Sequence, residues 1–329
     1  MISIFRKFNP LNALWLAVLL VVLRIGYLYS APANIEFTFV ETFARTLVPL
    51  AYEHFFSPAA NMLIAGILVF SQALLLNLLV NRYNLLGRSS FLPALMYITA
   101  SGLFTPFLVL SPPLICNFLV IWMLFKLFDL YKGESALSTA YDLGMIVAIG
   151  TLIYFPFIFF FLLIWIALII FRPFNWREWT AGILGYATIF FFLAVFYYLH
   201  NQIDEFVNIW LPLGSKFPNR INITNYYNYL ILIPVIIILG LCFVKLRQNF
   251  FKSYVQVRKS FQLLFFMFLV AALSFYVRAQ FNLNHFLLCA IPAAVFFAYY
   301  FLHATSKWFY ETLYLLLFIS IIYFQFNTF

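Results

Sequence analysis

Long apolar runs follow one another along this chain, separated by polar breaks that are mostly short. The runs fall at residues 12–30, 59–80, 91–110, 113–130, 141–155, 157–172, 180–199, 227–244, 261–277, 284–302 and 309–325. A helix needs about 20 mostly apolar residues to cross a bilayer, so the pattern predicts about eleven crossings. The expected fold is all-α: a polytopic transmembrane helix bundle in which residues 1–329 form a single integral membrane domain. The short runs on either side of Pro156 are read as separate crossings hinged at that proline. No short-period repeat of the solenoid kind is present.

Two polar segments are larger than the rest, residues 31–58 and 200–226. In the first, Phe39, Phe43, Leu47, Leu50 and Phe55 share one face at helical spacing, and Glu41 and Arg45 pair at i and i+4 on another. That pattern predicts a helix lying in the membrane interface, broken at Pro49, with Glu53 and His54 beyond the break at the start of the second span.

Composition agrees with the pattern. The chain is 66% hydrophobic, 22% aromatic and only 9% charged, far from the balance of a soluble domain. Cys116, Cys242 and Cys289 lie inside apolar runs without metal-ligand spacing and read as small buried hydrophobes. The first run follows Arg6 and Lys7 but lacks a good small-x-small cleavage site, and is read as a retained signal anchor. The Phe-rich run "YFPFIFFFLLIWIALIIF" is read as lipid-facing aromatics.

A net charge of +9 would point to nucleic acid in a soluble protein, but its placement here points to topology and excludes a nucleic-acid partner. With a cytoplasmic N-terminus, fourteen of the nineteen basic residues fall on the cytoplasmic side, as the positive-inside rule requires. Residues 31–58 and 200–226 then become outer loops, and the outer side is expected to hold the function.

The chemistry-bearing residues gather at that side. Glu36 and Glu41 are candidates for a general base, a metal ligand or an ion-pathway group. Arg278 ends one outward span and His285 begins the next, a pair suited to a phosphate, with Arg220 in the second outer loop. The neutral alternative is that Arg278 snorkels to headgroups and His285 caps a helix. Arg24, inside the first run, needs a partner or a polar cavity, since a charge at mid-membrane costs roughly 2.5–3.5 kcal/mol on insertion scales. Walker, GxSxG, HExxH and dinucleotide signatures are absent.

Two stretches carry a resemblance. "LRIGYLYSAPANIEFTFVETFAR" and "NHFLLCAIPAAVFFAYY" are similar to the first and last elements of the GT-C-type polytopic membrane glycosyltransferases. These join an arginine-bearing first helix to an acidic outer loop and end with a late helix start. The chain also resembles an uncharacterised family of bacterial polytopic membrane proteins. The GT-C resemblance implies a bacterial inner (cytoplasmic) membrane location, a GT-C-like arrangement and transfer of a sugar from a polyprenyl-phosphate donor on the outer face. It further implies Glu41, then Glu36, as catalytic carboxylates, with a divalent cation as the one cofactor implied and its ligands unknown. Arg278, His285 and Arg220 would face the lipid phosphate, and Arg24, Arg45, Glu53 and His54 would support them. Isolated glutamates stand where the family shows an Asp or Asp-Glu pair, and Asn117 stands where many members carry a second acid. The alternative class is a non-catalytic membrane subunit or scaffold, with protein partners in a larger envelope or secretion complex. Proton-coupled transport gains little, because most spans carry no ionisable residue near their middle.

Overall fold

The computed structural model describes residues 1–29, 41, 43–44, 57–131, 136–214, 226–249, 251, 253–277 and 282–326. Their regular structure is all helical, with no strand among the described residues. In chain order the α-helices are α1 (Ile2–Phe5), α2 (Asn12–Val22), α3 (Ile25–Tyr29), α4 (Pro58–Arg82), α5 (Leu92–Ala100), α6 (Pro112–Asp129) and α7 (Ala136–Ile153). They continue with α8 (Phe161–Phe171), α9 (Trp176–Leu199), α10 (Ile203–Asn208), α11 (Leu232–Asn249), α12 (Val255–Leu273), α13 (Ala290–His303) and α14 (Lys307–Phe326).

Among the described residues eight helices are long and apolar enough to cross a membrane, and residues 12–22 and 155–171 add shorter apolar stretches. The protein is a helical membrane bundle. Several of the predicted crossings are not α-helical from end to end. Run 12–30 breaks at Leu23 and Arg24, and run 91–110 stops being α-helical after Ala100, resuming as a 3-10 turn over Thr105–Leu108. Run 157–172 begins as a 3-10 segment, Phe155–Phe160, and becomes α-helical only at Phe161. Local chemistry explains the ends: Ser57 caps α4 by accepting from the Ala60 amide, and Asn175 caps α9 by accepting from Arg177. Pro106 and Pro156 remove amides that a continuing helix needs.

The hinge at Pro156 is a reversal of the chain. Ala140 lies against Gly182, while further along Leu152 joins a cluster with Phe190 and Leu193, so α7 and α9 run parallel. A parallel pair needs a returning segment between its members, and residues 155–171 supply it. The backbones of α7 and α9 touch: a Cβ on Gly144 would collide with the Gly182 carbonyl, and one on Gly185 with that of Tyr141. Small residues allow this close helix packing in membranes.

Along Leu283–His303, 94% of the most apolar stretch is buried, against 28% for the corresponding stretches around α9, α11 and α14. Helix α13 is therefore the axis of the bundle, contacted by α5, α6, α11 and α12. The Phe-rich run departs from its lipid-facing reading: Phe155, Phe157 and Phe160 are buried, because the 3-10 segment packs back on α7.

Candidate functional site

The end of the bundle opposite Met1 carries the expected site residues Glu41 and His285. There Tyr154 leaves α7 in an extended conformation, and the amide of Phe155, first in the 3-10 segment, donates to Oε1 of Glu41 at 3.0 Å. A carboxylate at a helix start meets unpaired amides and the positive end of the peptide dipoles. Phe43, two residues on, packs with Ala148, Leu152, Phe190 and Tyr197, a cluster that also holds Ile209 and Trp210. Parts of both predicted outer loops thus pack on one cluster formed by α7 and α9.

His285 lies beside the same hinge. It is 2% exposed, and its Nδ1 is 2.8 Å from the Tyr154 hydroxyl. Its Nε2 is 2.7 Å from the Ala271 carbonyl and 3.2 Å from Oγ of Ser274, which itself donates to Ala271. A carbonyl only accepts, so Nε2 carries a proton, and in the neutral ring Nδ1 takes the hydroxyl hydrogen of Tyr154. Tyr154 and Phe155 therefore bring Glu41 and His285 to neighbouring points, with the imidazole committed to contacts within the protein.

Arg24 sits in the turn between α2 and α3, buried to 5% exposure. Its Nη1 donates to the carbonyls of Met62 at 3.2 Å and Leu108 at 2.9 Å. Those carbonyls belong to the start of α4 and to the broken stretch after α5. Asn61 uses Oδ1 to accept from the Leu110 amide at 2.8 Å. Deeper in, a chain of amides and hydroxyls crosses the apolar interior. Gln72 donates to the Leu114 carbonyl and accepts from the Tyr97 hydroxyl, both at 2.7 Å. Asn117 donates to Tyr97 and to the Leu287 carbonyl. In this chain the Asn117 position ties α6 to α5 and to the approach to α13. Sequence reading passed over Asn61, Gln72 and Tyr97, and the signal that finds them is an amide or hydroxyl inside an apolar run.

Of the other expected site residues, Glu36, Arg45, Glu53, His54, Arg220 and Arg278 lie outside the described residues. No group of three or more His, Cys, Asp or Glu among the described residues could hold a metal ion. An apolar groove of about 360 Å³, lined by residues including Phe159, Leu162, Trp165 and Ile183, runs between the returning segment and α9.

Comparison with known families decides the affiliation. The profile of DUF6427, a family of unknown function, matches residues 28–329. The chain belongs to DUF6427. The DUF6427 match takes in Glu41, Asn61, Ser111 and His285 and begins just after Arg24. No curated protein and no solved structure gave a significant match.

At the Met1 end of the DUF6427 bundle, several charged and polar groups are paired. The Met1 amino group meets Glu311 at 2.7 Å, and Arg6 grips the carbonyls of Phe301 and Ala304 while lying 3.9 Å over the Tyr310 ring. Lys126 meets Asp142 at 2.7 Å, and the Tyr83 hydroxyl donates to Asp129 at 2.7 Å. Burial, then that bond, pushes the Tyr83 hydroxyl well above its usual range. A cavity of about 640 Å³ opens here between Arg82, Asn84, Asp129, Tyr254 and Gln256.

Proposed function

We propose that this DUF6427 protein is a GT-C-like transferase of the bacterial inner membrane, taking a sugar from a polyprenyl-phosphate donor at the end of the bundle that carries Glu41. The observation that supports this reading best is the meeting of Glu41 and His285 at the Tyr154–Phe155 hinge. It joins the acid of the first loop to the late helix start, as the resemblance requires.

In this reading the acceptor oxygen attacks the anomeric carbon, its proton passes to the Glu41 carboxylate, and the bond from that carbon to the phosphate oxygen breaks. Its electron pair leaves with the polyprenyl phosphate. Glu36 supports Glu41, either as an alternative base or in holding a divalent cation against the phosphate. Arg278 and Arg220 neutralise the departing phosphate, with Arg45, Glu53 and His54 in support. His285 acts as a positioning residue, since both its nitrogens are engaged within the protein. The groove beside Trp165 offers an apolar surface for the lipid tail.

A Glu41→Gln chain keeps the size and loses the base. Cells carrying it are expected to accumulate an unextended lipid-linked or surface glycan, read by mass spectrometry; an unchanged glycan profile sinks catalysis by Glu41. The second reading, a non-catalytic subunit of an envelope complex, is favoured by the engagement of His285 and by the amide that Glu41 already accepts. It expects an unchanged glycan profile together with loss of a defined co-purifying complex when Glu41 is replaced.

A further inference from the structure

We infer that the end of the bundle carrying Glu41 holds an oxyanion-binding site built from Arg24, Asn61 and Ser111. Three buried groups there have hydrogen-bonding capacity and no partner among the described residues: Nη2 of Arg24, Nδ2 of Asn61 and Oγ of Ser111. All three residues attach to one short stretch of chain. Arg24 is bound to the Leu108 carbonyl, Asn61 to the Leu110 amide, and Ser111 follows directly.

The set is unbalanced in a definite direction. Arg24 brings a full positive charge, and the ion pairs among the described residues do not include it. Asn61 brings a donor, since its acceptor is already used. Ser111 stands at the N-cap of α6 and makes no side-chain cap bond. Pro112 and Pro113 occupy the first two positions of that helix and carry no amide hydrogen for Ser111 to accept, which leaves the Ser111 hydroxyl free to donate. A buried guanidinium, a spare amide and a spare hydroxyl are thus gathered on one stretch of chain and lack an acceptor among the described residues.

Water could bond to these donors but leaves the charge uncompensated, and an isolated buried charge is strongly disfavoured. A phosphate oxyanion meets both needs, with guanidinium the side chain best shaped for it. The same chemistry arrives on a lipid headgroup or as free phosphate. The site deepens the transferase reading and rests on it only for the identity of the group that bears the phosphate.

The test uses the full chain purified in a non-ionic detergent, titrated calorimetrically with inorganic phosphate and with dodecyl phosphate. Binding of dodecyl phosphate alone assigns the site to a lipid-borne group; binding of inorganic phosphate, alone or as well, shows that the anion itself suffices. Either supports the site. Removing the guanidinium in Arg24→Gln is expected to weaken binding about tenfold or more. Asn61→Asp is the decisive variant, because it keeps the acceptor for Leu110 and supplies the missing anion from within the chain. It should abolish phosphate binding while raising the melting temperature. The proposal is overturned if neither probe binds, or if Asn61→Asp and Arg24→Gln bind as the parent does. Because this reads binding on isolated protein and Glu41→Gln reads glycans in cells, either proposal can fail while the other stands.

Discussion

The two ends of the bundle treat charge differently. Near Met1 several ionic groups find opposite charges or carbonyls: Met1 with Glu311, Lys126 with Asp142, Arg172 with Glu178, Arg6 with the last carbonyls of α13. At the other end Arg24 bonds only carbonyls and keeps one nitrogen unsatisfied among the described residues, beside the spare amide of Asn61 and the spare hydroxyl of Ser111. Paired groups at the first end hold helices in place. The surplus at the second has no structural use within the described residues, and a surplus of donors under burial marks where an external acceptor belongs.

The contrast can be attacked at three levels. The largest effect is expected from Gly185→Val, whose added side chain must displace the Tyr141 carbonyl. The loss is about 3 kcal/mol or more, and size-exclusion chromatography in detergent should show loss of the monodisperse protein. Retention of a normal profile would mean that α7 and α9 are not held in close contact. Next comes Tyr154→Phe at the hinge, which leaves Nδ1 of His285 buried without its donor. It should cost about 1–3 kcal/mol, read as a lower melting temperature, with inorganic phosphate binding unaffected because Arg24 is untouched. Smallest is Lys126→Ala near Met1. That pair leaves its side chains 33% and 31% exposed, and exposed pairs contribute only about 0–1 kcal/mol, less at high salt. A large effect there would show that the Met1 end is more than a set of surface pairings.

Much of the architecture was legible in the chain. Runs 59–80, 113–130, 284–302 and 309–325 correspond to helical segments Pro58–Arg82, Pro112–Asp129, Leu283–His303 and Lys307–Phe326, because apolar length alone decides such spans. Pro156 announced the reversal after α7 through its missing amide. The interruption at Leu23–Arg24 and the short α5 were not legible, since hydropathy does not see that Arg24 needs the carbonyls of Met62 and Leu108 from other segments. The site was half legible. Its residue types stood out, but whether Glu41 meets an amide or His285 a carbonyl depends on packing between segments more than a hundred residues apart for Glu41 and Phe155.

The burial of α13 also bears on how the protein is made. The helices that surround it, α5, α6, α11 and α12, all precede it in the chain, and only α14 follows. During synthesis the periphery therefore enters the membrane before its own centre exists, and its packing is completed only when Leu283–His303 is threaded in. A chain truncated before Leu283 is a shell around a vacant axis, lacking both His285 and the Leu287 carbonyl that Asn117 binds. Quality control at the ribosome-bound stage should accordingly see this protein as unfinished until nearly its final helix, and nascent chains paused ahead of that point should be the ones most readily degraded.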